Sequence, residues 1–259
     1  MSQNFNLDDV LKDAAQHWLK RKGRTKQKPS ENPQYGNVGN LGDVMKHSVL
    51  TKHLLALRRR FGFRVAYRDT HAFLLEAPPV RGQPMAALKH FREMPGGGRD
   101  GGLLNYQTGR PYRCSAGRAL DVLGIPKEPG WWMAFGERHR STRQRLIGQL
   151  LDVGVENPGT KQSGIAICNE ARDVLNTPIP REAQAVVALF DPFKWDDQLI
   201  VTIKEWAKLL PAWTTCVIVM YGYGVQNPVP KFPFDNSQKI ITEIEISSCF
   251  HSVRTVEFT

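Results

Sequence analysis

Long apolar runs are missing from this chain. No stretch approaches the roughly 18 consecutive apolar residues that a membrane-crossing helix needs, so a helical span is excluded. Cysteine is scarce. Cys114, Cys168, Cys216 and Cys249 stand far apart, without the paired spacing of a zinc site or the density of a disulfide framework. They read as buried thiols of a reducing compartment. The N-terminus carries Asp8, Asp9 and Asp13 where a signal peptide would be apolar, and the expected location is the cytoplasm. Acid is also in deficit: 25 Asp and Glu face 35 Lys and Arg, a net charge of +10. Such an excess favours a polyanionic partner, above all a nucleic acid. The glycine-rich segment 96–102 follows no strand signal and lacks the Gly-Lys-Ser/Thr ending of a phosphate loop. No internal repeat is present.

What remains is an ordinary globular composition, 41% hydrophobic and 23% charged over 259 residues, enough for one full core. Residues 1–35 read as an appendage. Asp8 to Leu19 can form a short helix, and the run that follows holds Lys20, Arg21, Lys22, Arg24, Lys26 and Lys28. This is either a flexible arm that grips phosphates or a solvated linker. The second unit, 36–259, carries an insertion near 78–111, where the composition turns to Gly, Pro and charge.

Within that unit the apolar pattern alternates between two kinds. Asp43 to Arg60 has helical spacing, with Val44, Met45, His47, Val49, Leu50, Leu54, Leu55 and Leu57 on one broad face. Short continuous apolar runs suit strands buried on both faces: Phe63 to Tyr67, Gly164 to Cys168, Ala185 to Phe190 and Cys216 to Tyr221. The first three end close to Asp69, Glu170 and Asp191, and Ala171 to Leu175 is helix-like. Lys239 to Ile246 and Val253 to Phe258 alternate apolar and polar residues, as an antiparallel pair would. Strands alternating with helices predict an α/β fold with a mostly parallel sheet, whose ligands gather at the carboxyl ends of the strands.

The chemistry concentrates at three places. Asp191-Pro192-Phe193 closes the strand ending at Phe190 and turns a carboxylate toward the crevice. Taken alone it is equally a strand-ending turn. The other two segments are Gly39-Asn40-Leu41-Gly42-Asp43-Val44-Met45-Lys46-His47 and Asp69-Thr70-His71-Ala72. In this order and at this separation they resemble the Gly-Asn-x-x-Asp-Val-x-Lys-His and Asp-Thr-His-Ala-Gly signatures of bacterial methyltransferases that modify an adenine amino group in large-subunit ribosomal RNA. Tyr112-Arg113-Cys114-Ser115 is similar to a later motif of that family, and Glu137, Glu170 and Asp191 follow in the family's order. The likeness spans roughly residues 36 to 246.

The resemblance implies a Rossmann-like class I methyltransferase fold that binds S-adenosylmethionine. It implies that His47, His71 and Ser115 line the methionine side of the cofactor, with Asp69 in the same site. Glu137 would meet the ribose hydroxyls, Glu170 the adenine, and Asp191-Pro192-Phe193 the acceptor amine and its base. Each residue has a plainer competing role. His47 can be a packed core histidine, Glu137 can pair with Arg138, Arg140 or Arg143 on a wet surface, and Trp131 and Trp132 suit a core or interface. Lys46 can help hold an acid, although it reads first as an exposed lysine. No metal site is suggested by the spacing of His, Cys and carboxylates.

Two departures bear on function. Where the family has glycine after Asp-Thr-His-Ala, this chain has Phe73, which takes up volume and resists the φ values glycine allows. Where the family has Asp-Pro-Pro followed by tyrosine, this chain has Asp191-Pro192-Phe193-Lys194-Trp195. Two readings follow. The chain is a methyltransferase acting on an exocyclic amine of adenine in RNA or DNA, or it is a catalytically inactive binding module on the same scaffold within a larger nucleic-acid or protein assembly.

Overall fold

The computed structural model describes residues 41–77, 111–192, 195–211, 213–223, 238–246 and 251–258. The elements run α1 (Leu41–Phe61), β1 (Val65–Asp69), β2 (Glu76–Ala77), β3 (Tyr112–Arg113), α2 (Ser115–Leu123), β4 (Met133–Gly136) and α3 (Arg140–Asp152). They continue with β5 (Ile165–Cys168), α4 (Ala171–Asn176), β6 (Ala185–Phe190), α5 (Asp197–Lys208), β7 (Thr215–Tyr223), β8 (Gln238–Ile246) and β9 (His251–Phe258). The basic run 20–28, the helix expected over 8–19 and most of the insertion lie outside the described residues. No helix among the described residues is long and apolar enough to cross a membrane.

Seven strands form one sheet in the order β5-β4-β1-β6-β7-β9-β8. The first five are parallel, while β9 runs antiparallel to both neighbours, wedged between β7 and β8. This is the Rossmann-like class I methyltransferase topology, with the expected antiparallel C-terminal pair. The parallel strands are apolar on both faces because both faces are covered. In β6, Ala185, Val187 and Leu189 pack into a core shared with α1, α2 and α3. Their neighbours Val186, Ala188 and Phe190 pack with Leu175, Ile203 and Trp206 of α4 and α5.

α1 carries Asp43 in its first turn and Arg58, Arg59 and Arg60 in its last, matching the helix dipole. It ends at Gly62, whose φ of 63° is left-handed and whose N–H donates to Arg58 O at 3.0 Å. That cap moves the first strand. The expected strand from Phe63 begins instead at Val65, because Phe63 and Arg64 form the turn out of the helix and remain exposed. β2 and β3 pair antiparallel with Ala77 opposite Tyr112, so the chain leaves for the insertion and returns at adjacent points.

Candidate functional site

The sheet's topology decides where a ligand can enter. From β1 the chain moves to β4 and β5 on one side, and then crosses to β6 and β7 on the other. The order reverses between β1 and β6, and helices leave that point on opposite faces, opening a crevice at the carboxyl ends. The register sets Asp69 opposite Leu189, so Asp191 emerges just beyond Asp69 on the neighbouring strand. Glu137 follows β4 directly. Three carboxylates that are distant in sequence thus share one edge of the sheet.

The N-terminal turn of α1 closes this edge. Lys46 forms an ion pair with Asp191, and a second one with Asp43 at 2.7 Å. The expectation of an exposed lysine is therefore corrected: Lys46 is 8% exposed, and its ammonium also lies 5.1 Å from the Tyr221 ring centroid. The physical reason is nonlocal, since only the folded sheet brings Asp191 to the helix. Burial disfavours the Lys46 charge, but Asp191 and Asp43 outweigh it and hold the ammonium well above its usual pKa. At Asp191 burial raises the carboxyl pKa, with Lys46 acting in the opposite sense. Pro192 is buried behind it. Phe193 and Lys194 lie outside the described residues, whereas Trp195 is a core side chain that donates its indole N–H to Tyr221 O at 2.9 Å.

Asp69 is fully buried, and burial lifts its carboxyl pKa to about 6. It accepts from Tyr67 Oη at 3.1 Å and from the His71 backbone N–H at 3.3 Å, and it hydrogen-bonds to Ser115. Ser115 opens α2, so the second and third family-like segments meet at this carboxylate. Beside it the Thr70 hydroxyl donates to Leu189 O at 3.0 Å and lies 2.8 Å from His71 Nδ1. With the hydroxyl proton so directed, Nδ1–H is the donor to Thr70 and Nε2 is left as an acceptor. Burial, and secondarily Lys46, lowers the His71 pKa to about 4, keeping the ring neutral.

His47 sits differently. It is buried, 2.6 Å from the Tyr112 hydroxyl through Nδ1, and burial together with Lys46 and Arg118 drives its pKa well down. Tyr112 is the first residue of β3, so this contact ties α1 to the base of the insertion. Glu137 is 8% exposed rather than on a wet surface. Its Oε1 accepts from the His139 N–H at 2.6 Å, and Arg143 reaches the Glu137 backbone carbonyl at 2.8 Å, not the carboxylate. Burial raises the Glu137 pKa. Glu170 is exposed at the N-cap of α4, where its N–H donates to Asp173 Oδ2 at 3.2 Å. Trp132 is buried and Trp131 half-buried against Ala134, Ala166 and Val174, as core residues.

Phe73 does not strain the loop after β1. Among the described residues Asn157 is the only non-glycine with positive φ, so the backbone at 73 needs no glycine. Its ring packs against the core instead. The close approaches that the family-like loop would make through glycine occur elsewhere. A Cβ on Gly136, the last residue of β4, would lie 2.8 Å from both Thr70 O and Val174 Cγ2. One on Gly117 of α2 would lie 2.3 Å from Leu75 O. Gln149 of α3 also secures the loop, accepting from the N–H groups of Leu75 at 2.8 Å and Glu76 at 3.1 Å while donating to Glu76 O at 2.7 Å.

Sequence reading missed Asp43, Tyr67, Tyr112 and Tyr221 as site residues. For Asp43 the signal was present, three residues before Lys46 on one helical face. For the tyrosines no local pattern distinguishes a site hydroxyl from a core ring.

No protein-family model matches the chain, and no curated protein matches it in sequence. Among solved structures, a Haemophilus influenzae protein carried as a candidate methylase overlays with a TM-score of 0.45 at 12% identity, over 82% of this chain and 98% of that one. A mutant of MtNAS in complex with S-adenosylmethionine overlays with a TM-score of 0.40 at 11% identity, over 96% and 72%. Protein LPL1258 from Legionella pneumophila, described by the family model DUF519, overlays with a TM-score of 0.57 at 13% identity, over 85% of this chain and 86% of that one. Over most of both chains, this protein and the Legionella protein share one fold.

Proposed function

We propose that the chain is an S-adenosylmethionine-dependent methyltransferase acting on an exocyclic amine of adenine in RNA or DNA, related to the large-subunit ribosomal RNA enzymes that its motifs resemble. The observation that carries this reading is the meeting of Lys46 and Asp191. Two segments 145 residues apart, each singled out by its likeness to that family, join at the switch point where this topology binds ligands.

The residues present fit the cofactor. Glu137 has one carboxylate oxygen engaged by the His139 N–H, while the other has no partner among the described residues and can accept from a ribose diol. His71 offers a neutral ring nitrogen, and Asp69 and Ser115 supply polar groups at the end of β1 and the start of α2. Glu170 is set to edge the adenine from the loop after β5, although its position is also explained by capping α4. His47 acts by holding Tyr112 in place. Bound S-adenosylmethionine supplies an electrophilic methyl group.

The protein's task is then positioning. Lys46 engages Asp191 Oδ2, which fixes the carboxylate and leaves Oδ1 to accept a hydrogen bond from the acceptor amine. With the cofactor bound, the amine nitrogen would form its bond to the methyl carbon as the donor's carbon–sulfur bond breaks with its electron pair going to sulfur, and the surplus N–H proton would pass by way of Asp191 Oδ1 to water. A base extruded from its stack would rest against Phe193. The basic run 20–28 adds affinity for phosphate, and the unit 36–259 is the transferase domain with its insertion at 78–111.

Calorimetric titration with S-adenosylmethionine and S-adenosylhomocysteine tests the reading. Micromolar binding that is lost on Glu137→Ala is expected, together with transfer to adenine-containing RNA that is lost on Asp191→Ala while cofactor affinity stays within a few-fold. Absence of cofactor binding in the intact chain would favour the inactive binding module.

A further inference from the structure

The end of the sheet opposite the crevice holds a second opening. A cavity of about 560 Å³ lies between the amino ends of β1, β4 and β6, the segment after α2 and Trp213 ahead of β7. With strands of five and six residues at about 3.3 Å each, it is roughly 17 Å from the carboxyl edge and separate from the crevice. Its size is ordinary for a small-molecule or single-residue site, roughly 300–1,000 Å³.

The lining is unusual for a surface with no partner. Phe63 and Trp213 stand on the rim 66% and 70% exposed, although rings of this size are normally buried. Arg58 stacks on the Phe63 ring, 3.3 Å from its centroid. Arg64, Lys127 and Arg181 also line the opening, and with Arg58 they set four cations against the carboxylates of Glu128 and Glu182. None of the lining cations forms an ion pair with a described residue. Trp132 contributes from within, and its buried indole N–H has no hydrogen-bond partner among the described residues.

The exposed Trp213 indole and the Phe63 face not covered by Arg58, bordered by Arg64, Lys127 and Arg181 without ion pairs to described residues, match one ligand chemistry best. A nucleotide presents a planar base face to rings of either kind, and its backbone phosphate matches the cations. A second copy of the chain is disfavoured, because a two-fold contact here would oppose the cationic rim to itself. We propose that this cleft docks a single-stranded nucleic-acid segment, with one base held against Trp213 and Phe63 and the adjoining phosphate between Arg64, Lys127 and Arg181. The site is independent of methyl transfer and would anchor nucleic acid away from the reacting base.

The test is photocrosslinking of the full chain to a short single-stranded RNA carrying 5-iodouridine, with peptides mapped by mass spectrometry. Adducts on the peptide of Trp213 or Phe63 are expected. The double variant Trp213→Ala, Phe63→Ala should bind the same RNA at least about ten-fold more weakly, with Trp213→Phe retaining most of the affinity. Both side chains are exposed, so the fold should persist, as unchanged circular dichroism and cofactor binding would show. Arg181→Glu should weaken binding without touching an aromatic ring. Adducts confined to the arm or the crevice, unchanged affinity in the double variant, or a solution dimer that the double variant dissolves would each overturn the proposal. None of these outcomes alters the reading of the crevice, which Asp191→Asn probes separately.

Discussion

Lys46→Met removes the cation that both Asp43 and Asp191 face. In the intact protein the three side chains are 10%, 15% and 21% exposed, so the triad is mostly withdrawn from water without being sealed off. Breaking a buried ion pair from one side costs about 3–5 kcal/mol, because the remaining charge is left without compensation. The residual solvent contact places this case at the lower end, about 3 kcal/mol in urea unfolding. Asp191→Asn leaves Lys46 paired with Asp43 at 2.7 Å, and should cost less, about 1 kcal/mol. Once Lys46 is gone, neutralising Asp191 relieves a repulsion instead of breaking a bond. The double variant should therefore be more stable than the sum of the single changes by about 1–3 kcal/mol. The same substitution has a kinetic signature. Lys46 now opposes the effect of burial on Asp191, so its removal raises the Asp191 pKa further. If the ionised carboxylate is the working form, the acid limb of the transfer rate moves to higher pH. Additivity within about 0.5 kcal/mol, combined with an unmoved acid limb, would refute the coupling of α1 to the catalytic turn.

Other consequences are equally open to measurement. Gly136→Ala should destabilise by about 2 kcal/mol, since its Cβ meets backbone at Thr70 as well as Val174; Gly148→Ala in mid-α3, with nothing within 4 Å, should stabilise by about 0.5–1 kcal/mol in the same urea assay. His53 and His71 have pKa values lowered to about 4 chiefly by burial, so the unfolded chain takes up protons below pH 6.5 that the folded one refuses. Their contribution to stability is present above pH 6.5 and lost as pH falls toward 4. Asp69, raised to about 6, acts in the opposite sense: its contribution is present below pH 4 and lost as pH rises through 6. The share of His53 in the change between thermal melts at pH 7 and pH 4.5 should be a loss of roughly 2–3 kcal/mol on acidification that is absent in His53→Gln. Deleting residues 1–30 should reduce the slope of log affinity against log salt for RNA by roughly 0.7 per lost phosphate contact; an unchanged slope would make the segment a linker.

Much of the architecture is legible before folding. The run Ala185 to Phe190 is apolar at every position, and only a strand covered on both faces uses such a run; the structure sends alternate residues into two cores. The α1 pattern is equally explicit, ending in an arginine cluster and a glycine cap. The alternating C-terminal strands declare a pair with a different environment. Other elements leave little trace. Met133 to Gly136 is only four residues long, too short for periodicity to separate strand from helix, although Pro129-Gly130 marks a turn just before it. That β9 lies between β7 and β8 is absent from any local pattern, because strand order depends on which edges remain unpaired when the sheet assembles.

The candidate site divides in the same way. Asp191 and Asp69 are legible as strand-ending carboxylates, because spacing along a strand fixes what sits at its end. Lys46 is not, because a lysine on a helix is buried only if a carboxylate from another element meets it, and Asp191 is 145 residues away. Phe73 looks obstructive beside a glycine-bearing motif, yet whether a position needs glycine is set by its φ and its neighbours, and here the tight approaches fall on Gly136 and Gly117. The exposed pair Phe63 and Trp213, lying in different turns, becomes one rim only through the register of β1, β6 and β7. Sequence by itself determined the long helix after residue 41, the continuous apolar strands, the alternating C-terminal pair and the carboxylates at strand ends, since those depend on periodicity over a few residues. Tertiary structure alone decided which side chains share a cavity, because burial, ion pairing and close backbone contact are properties of residues that only the folded sheet makes neighbours.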